Sequence, residues 1–214
     1  MAVTHICFLG ASTTEGQGDE TGLGWPGRLM DLTYPATEGG RPAAYNLGVR
    51  GQTTRMQAKR WEAECLERLP DYGKCALVAS FGLNDVARVD GGPPRVPMRR
   101  TLETVRAVME KAGSLGEVLW LGPAPVDESV MPIVSEAGYE FLFTHEAIGE
   151  LNQNYIRLAA ELDIPYLDLF TPLLGDAGYL AALKANDGLH PTGDGYQIVA
   201  ERVAVWDAWR CLTG

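Results

Sequence analysis

Two short segments at opposite ends of this chain hold residue types that could work together. Ser12 lies in Phe8-Leu9-Gly10-Ala11-Ser12-Thr13-Thr14, directly after an apolar run, and Asp187-Gly188-Leu189-His190-Pro191 lies close to the other end. A nucleophile, an imidazole and a carboxylate are the parts of an acyl-transfer triad, which is recognised by role and not by order in the chain. Asp187 precedes His190 by three residues, and Pro191 follows it. Proline disfavours the helical conformation at the residue before it, so His190 is expected in extended geometry at a helix entrance. A carboxylate on one ring nitrogen would leave the other free to accept the serine proton.

Each residue also has a plainer reading. A serine after a strand is commonly a cap or turn residue. Ser12 does not sit in a Gly-x-Ser-x-Gly elbow, because Thr14 occupies the place of the second glycine. Gly16-Gln17-Gly18 is glycine-rich but lacks the Gly-Lys-Ser/Thr ending of a phosphate loop. Of the other two histidines, His5 reads as a satisfied strand residue and His145 as an exposed residue at a helix start. Asn84, in Gly82-Leu83-Asn84-Asp85, is either a turn asparagine or a side-chain amide donor to an oxyanion, with Ser12 and Gly48 adding backbone N–H groups. Gly48 alone would be read as a turn glycine.

The elements that must bring these ends together alternate along the chain. Apolar runs at Val3–Leu9, Ala43–Leu47, Cys75–Phe81, Val118–Leu121 and Pro165–Phe170 read as strands. Between and after them Trp25–Leu32, Thr53–Leu69, Arg99–Ala112, Glu146–Leu162 and Gly195–Leu212 have the spacing of amphipathic helices. Strands that are apolar throughout and separated by helices imply a parallel sheet covered on both faces. Ligands of such sheets sit beyond the C-terminal strand ends. Ser12, Gly48 and Asn84 each follow such an end, so three strand exits direct their chemistry to one edge. The least regular stretches are Gly16–Gly24, Asp90–Pro97 and Pro123–Phe143, and the last is long enough to carry binding groups over that edge.

At 214 residues, with 46% hydrophobic and 21% charged residues, the chain reads as one globular domain spanning residues 1–214. A net charge of −10 speaks against a nucleic-acid partner, which would need a basic face. No apolar run is long enough to span a bilayer. Four dispersed cysteines and a beginning without an export pattern make a cytoplasmic location the expectation. Three scattered histidines and no Cys/His cluster predict no metal, and no dinucleotide fingerprint calls for a cofactor. Glu15, Asp19 and Glu20 read as a solvated loop face. The five tryptophans read as core, with Trp25 a possible neighbour of the site. Oligomeric state is left open.

Four segments in order resemble the SGNH, or GDSL-type, hydrolase family: Gly10-Ala11-Ser12-Thr13, Asn46-Leu47-Gly48-Val49-Arg50-Gly51-Gln52-Thr53, Gly82-Leu83-Asn84-Asp85 and Asp187-Gly188-Leu189-His190-Pro191. The resemblance implies a three-layer α/β/α, flavodoxin-like fold with a five-stranded parallel sheet in the order 2-1-3-4-5. It implies Ser12 as nucleophile, His190 as base, Asp187 as its orienting carboxylate, and Ser12, Gly48 and Asn84 as oxyanion donors. The implied activity is hydrolysis of a small-molecule carboxylic ester through an acyl-enzyme. A thioesterase, a lysophospholipase or a carbohydrate deacetylase would use the same machinery, and a silent binding domain could keep the fold. One departure is visible: family members usually carry Asp where this chain has Ala11, which questions the hydrogen bonding that orders the loop after the first strand.

Overall fold

Alternation along the first strand divides the core in two. Strand β1 (Thr4–Gly10) sends Cys7 and Leu9 into one apolar cluster and Ile6 and Phe8 into the other, all of them buried. The computed structural model describes residues 4–34 and 41–214, so the expected strand start at Val3 lies outside the described residues. The chain continues through α1 (Ser12–Glu15), α2 (Gly24–Thr33), β2 (Ala43–Gly48), α3 (Thr54–Gln57), α4 (Trp61–Leu66), β3 (Lys74–Ala79) and α5 (Leu83–Val86). Then come β4 (Arg88–Val89), α6 (Met98–Ala112), β5 (Glu117–Leu121), β6 (Ile133–Val134), β7 (Glu140–Leu142) and α7 (His145–Leu162). It closes with β8 (Tyr166–Leu167), α8 (Phe170–Leu174), α9 (Ala177–Lys184), α10 (Gly193–Ala204) and α11 (Asp207–Thr213).

Five strands form a parallel sheet in the order β2-β1-β3-β5-β8. Counting only these strands, the order is the flavodoxin-like 2-1-3-4-5. Helices cover both faces. On one, Trp61, Val105, Met109, Ile148 and Tyr155 pack against Cys7, Leu77 and Trp120. On the other, Leu29, Tyr179, Tyr196, Val203 and Trp209 pack against Ile6, Phe8 and Val78. Each fully buried side chain of this size contributes about 1.5–3 kcal/mol relative to exposure. The order in which strands are added reverses between β1 and β3, which places the switch-point crevice over the ends that carry Ser12 and Asn84.

The structure redraws several expected boundaries. β3 stops at Ala79 instead of Phe81, because Gly82 at φ +97° turns the chain into α5. The expected Pro165–Phe170 strand shrinks to β8, since Asp168 accepts the Thr171 N–H and leads into α8. Thr53–Leu69 is two short helices and not one. The chain steps aside between them, where the Arg60 guanidinium donates to the Leu47 and Gly10 carbonyls at the ends of β2 and β1. Gly195–Leu212 is likewise α10 and α11. Trp206 is extended at the junction, and this turn lets Trp209 bury beside Phe8 and donate to Thr33 Oγ1 at 2.9 Å.

The two irregular stretches around residues 90 and 123–143 contain an unexpected second sheet, antiparallel and ordered β4-β7-β6. Its strands are two or three residues long, too short for a period-two pattern to be visible. Among the described residues, no helix is long and apolar enough to cross a membrane.

Candidate active site

Residues 178 positions apart meet at the sheet edge. Ser12 begins α1 and is buried, and its Oγ lies 2.8 Å from His190 Nε2. His190 Nδ1 lies 2.7 Å from Asp187 Oδ2. The other carboxylate oxygen of Asp187 accepts the backbone N–H groups of Leu189, at 2.9 Å, and His190, at 2.7 Å. Burial works to raise the Asp187 pKa, but the His190 ring and those two N–H groups outweigh it and hold the carboxyl below its ordinary range. An ionised Asp187 requires the proton on Nδ1, which leaves Nε2 as an acceptor for the serine hydroxyl. The arrangement can therefore remove a proton from Ser12 without moving a side chain.

The two loops are fastened to each other. Asn186 Nδ2 donates to the His190 carbonyl at 2.8 Å, and Asp127 N–H to that of Gly188 at 2.7 Å. Tyr196 Oη donates to the Gln17 carbonyl at 2.7 Å, and Glu20 accepts the Gly193 N–H at the start of α10. The expected solvated face of Glu15, Asp19 and Glu20 is one only in part: Glu20 is exposed and Glu15 half-buried, whereas Asp19 is withdrawn from solvent. The side chain of Asp19 is buried and takes the Arg28 guanidinium through two nitrogens, while Glu15 pairs with Arg50. His145, expected to be exposed, is half-buried, with Nε2 2.7 Å from the Val126 carbonyl oxygen and Nδ1 3.0 Å from Glu128. It anchors the loop that holds Asp127. The loop after β1 is ordered despite Ala11, because the Ala11 carbonyl accepts Thr14 and Glu15 N–H and Asn46 Nδ2 reaches the Thr14 carbonyl at 2.7 Å.

Of the three expected oxyanion donors, two face the site and one does not. Ser12 and Asn84 both line the cleft, and Asn84 Nδ2 donates one hydrogen to the Gln52 carbonyl at 3.1 Å, leaving its second free. Gly48 is different: its N–H donates to Asn46 Oδ1 at 2.9 Å, and it does not line the cleft. A Cβ on Gly48 would lie 2.2 Å from the Glu15 nitrogen, so this glycine permits close packing against α1. Gly51 lines the cleft instead, at φ +68°, and its N–H has no acceptor among the described residues. Gly51 stands in the same segment as Gly48, and in sequence the two glycines three residues apart look alike without their dihedrals and partners.

Comparison with known proteins follows the same pattern. The model of the GDSL-like Lipase/Acylhydrolase family matches residues 8–198. The chain belongs to this family. A relative from Bacillus subtilis (strain 168), named the uncharacterized lipoprotein YqeF, is 30% identical over 184 residues, covering 74% of this chain and 70% of that protein. The crystal structure of the lipase/acylhydrolase from Enterococcus faecalis aligns with TM-score 0.73 and 26% identity over 94% of this chain and 93% of that one. The acetyl xylan esterase AlAXEase shares the fold, with TM-score 0.70 and 20% identity over 96% and 99% of the two chains.

In this GDSL-like chain the cleft above Ser12 encloses about 450 Å³. One wall is polar, with Gln17, Arg50 and Asn84. The β6–β7 hairpin and its flanks also line the cleft, with the apolar Ile133, Val134, Phe141 and Phe143 beside the polar Ser135 and Glu136. The expectation that Pro123–Phe143 shapes a pocket holds for these residues. The Val86–Pro97 segment contributes indirectly, through the pairing of β4 with β7. Trp25 lies under the serine loop, against Phe8 and beside a small cavity of about 40 Å³ that Ala11 and Pro191 also line. Among the described residues no group of three or more His, Cys, Asp or Glu side chains is arranged to hold a metal.

Proposed function

We propose that this chain hydrolyses carboxylic esters through an acyl-enzyme on Ser12, as one catalytic unit. The observation that carries the reading is the continuous hydrogen-bonded line from Ser12 Oγ through His190 to Asp187, at 2.8 and 2.7 Å. Ser12 Oγ attacks the ester carbonyl carbon as its proton passes to His190 Nε2. The carbonyl oxygen becomes an oxyanion that accepts hydrogen bonds from the backbone N–H groups of Ser12 and Gly51 and from Asn84 Nδ2. Collapse of this intermediate expels the alcohol, which takes the proton from Nε2, and leaves the acyl group on Ser12. Water then repeats the sequence with the same base, releasing the carboxylic acid and restoring the serine.

Asp187 keeps the imidazole in the tautomer with the proton on Nδ1 and stabilises the imidazolium that forms. Ile133, Val134, Phe141 and Phe143, more numerous than the polar Ser135 and Glu136 of the same hairpin, favour an apolar group of the substrate, which fits a simple ester or thioester better than an acetylated sugar. Steady-state assays with p-nitrophenyl esters, acyl-thioesters and sugar acetates test both points. Ser12→Ala should remove turnover of all of them, and the apolar esters should give the highest kcat/KM. A cytoplasmic site of action is part of the proposal. It rests on four cysteines that remain free thiols, three of them buried. Fractionation of the native host tests it, because a chain that works as an anchored protein, as the name of the Bacillus relative suggests for that protein, would sediment with membranes.

A further inference from the structure

The Gly51 turn is held in place from behind by a residue outside the family segments. Gly51 is at φ +68°, and the carbonyl on its far side accepts a hydrogen bond from Arg95 Nη2 at 2.9 Å, with no other donor among the described residues. The next carbonyl, Gln52, is held by Asn84 Nδ2, and the Thr54 N–H is held by Asp85 Oδ1 at 2.8 Å. Arg95 belongs to the same frame, because its backbone N–H donates to the Ala87 carbonyl and that of Val96 donates to Asp85. Its guanidinium lies 5.7 Å from the centre of the Phe141 ring, on the hairpin that walls the cleft. Arg95 Nη1 is buried without a protein partner, which a side chain serving only as a surface charge would not tolerate.

We propose that Arg95 is a positioning residue: by holding the Gly51 carbonyl it keeps the Gly51 N–H turned into the cleft, and through Phe141 it couples that donor to the substrate-facing hairpin. The inference rests on the ester-hydrolysis reading, in which the Gly51 N–H meets the oxyanion. The N–H and the carbonyl of Gly51 lie in adjacent peptide planes joined at its Cα, so anchoring the carbonyl limits how far the two planes can rotate about φ and ψ. A glycine is otherwise the residue least able to hold one conformation. The cation–π contact makes the guanidinium the joint between the turn and the hairpin.

The test uses the full chain with Arg95→Met and Arg95→Lys. It measures kcat and KM on p-nitrophenyl butyrate, the melting temperature, and the Gly51 amide resonance in ¹⁵N-labelled protein. Arg95→Met should lower kcat by roughly 10-fold to 10²-fold, less than loss of a whole oxyanion donor, and leave KM within about twofold. The Gly51 resonance should shift, and Arg95→Lys should recover part of kcat. An unchanged Gly51 resonance in Arg95→Met overturns the inference whatever the activity. So does a lowered melting temperature with kcat of the folded protein intact. Failure of the underlying reading is separately visible: Ser12→Ala would then be as active as the unsubstituted chain.

Discussion

Asp187 holds His190 at two places. One carboxylate oxygen takes the backbone N–H of His190 at 2.7 Å, and the other lies 2.7 Å from its ring Nδ1. The same side chain therefore sets both where the histidine sits and which nitrogen faces Ser12. Asp187→Asn keeps an acceptor for the backbone but no longer demands a proton on Nδ1. It should lower kcat by roughly 10³–10⁴ with a small change in melting temperature. Steady-state kinetics and a thermal melt on that one variant check it. A large drop in stability with kcat preserved would make Asp187 a loop cap only.

The pH dependence follows from the same pair. The carboxyl of Asp187 is held below its ordinary range, so it stays ionised throughout mildly acidic conditions. A fall in kcat/KM on acidification is then not carried by Asp187, and protonation of the imidazole removes the acceptor on Nε2. The profile should keep this limb in His5→Gln and His145→Gln proteins. A limb that moves with either substitution would point away from His190.

Asn84 separates a donor from a turn former. Asn84→Ala should lower kcat by roughly 10²–10³ with KM little changed, since the donor acts on charge that exists only in the transition state. The lost bond to the Gln52 carbonyl adds about 0.5–1.5 kcal/mol of destabilisation. Unaltered kcat in the folded variant would leave Asn84 with the turn role alone.

The two glycines of the second family segment should respond differently to alanine. At Gly48 a Cβ would lie 2.2 Å from the backbone nitrogen of Glu15 and 2.8 Å from the Ala11 carbonyl oxygen, so α1 or β2 must move. At Gly51 the same atom meets nothing within 4 Å, and the cost is the positive φ, about 1–2 kcal/mol. Gly48→Ala should melt at the lower temperature of the two and lose activity as Ser12 is displaced. Equal melting temperatures would contradict this packing.

Asp19 gives a stability prediction away from the chemistry. Burial acts to raise its pKa, but Arg28 and Thr21 outweigh it and bring the carboxyl to about 2, from an ordinary 3.8. A carboxyl depressed on folding contributes stability that is present above its unfolded pKa and lost as pH falls through the folded value. Asp19→Asn should destabilise the protein at neutral pH by roughly 1–3 kcal/mol, as loss of charged hydrogen bonds does. It should also flatten the fall in stability between about pH 4 and pH 2. Parallel melting curves for both proteins across that window would exclude the Asp19–Arg28 pair as the cause.

The central strands were legible because they are continuous apolar runs buried on both faces, as Cys75–Ala79 shows, whereas β2 alternates in exposure and β8 keeps only two residues of the expected run. Ser12, Asn84, Asp187 and His190 were legible through short segments with local geometry of their own. Gly48 misled because its N–H is claimed by Asn46, a side chain two residues earlier whose rotamer the sequence does not display. The breaks at Arg60 and Trp206 were hidden for a related reason. Each is imposed by a distant partner, the ends of β1 and β2 for Arg60 and the Phe8–Thr33 region for the segment after Trp206. Helical spacing persists across both breaks, so periodicity alone joins what tertiary contacts separate.

The most direct test of the account is covalent labelling of the nucleophile. The intact protein is treated with a fluorophosphonate ester and its mass and modified peptide are determined. A single adduct is expected on Ser12, formed quickly in the unsubstituted chain, much more slowly in His190→Ala, and not at all in Ser12→Ala. A folded protein that takes no label, or takes it at another residue with Ser12 unmodified, would contradict it.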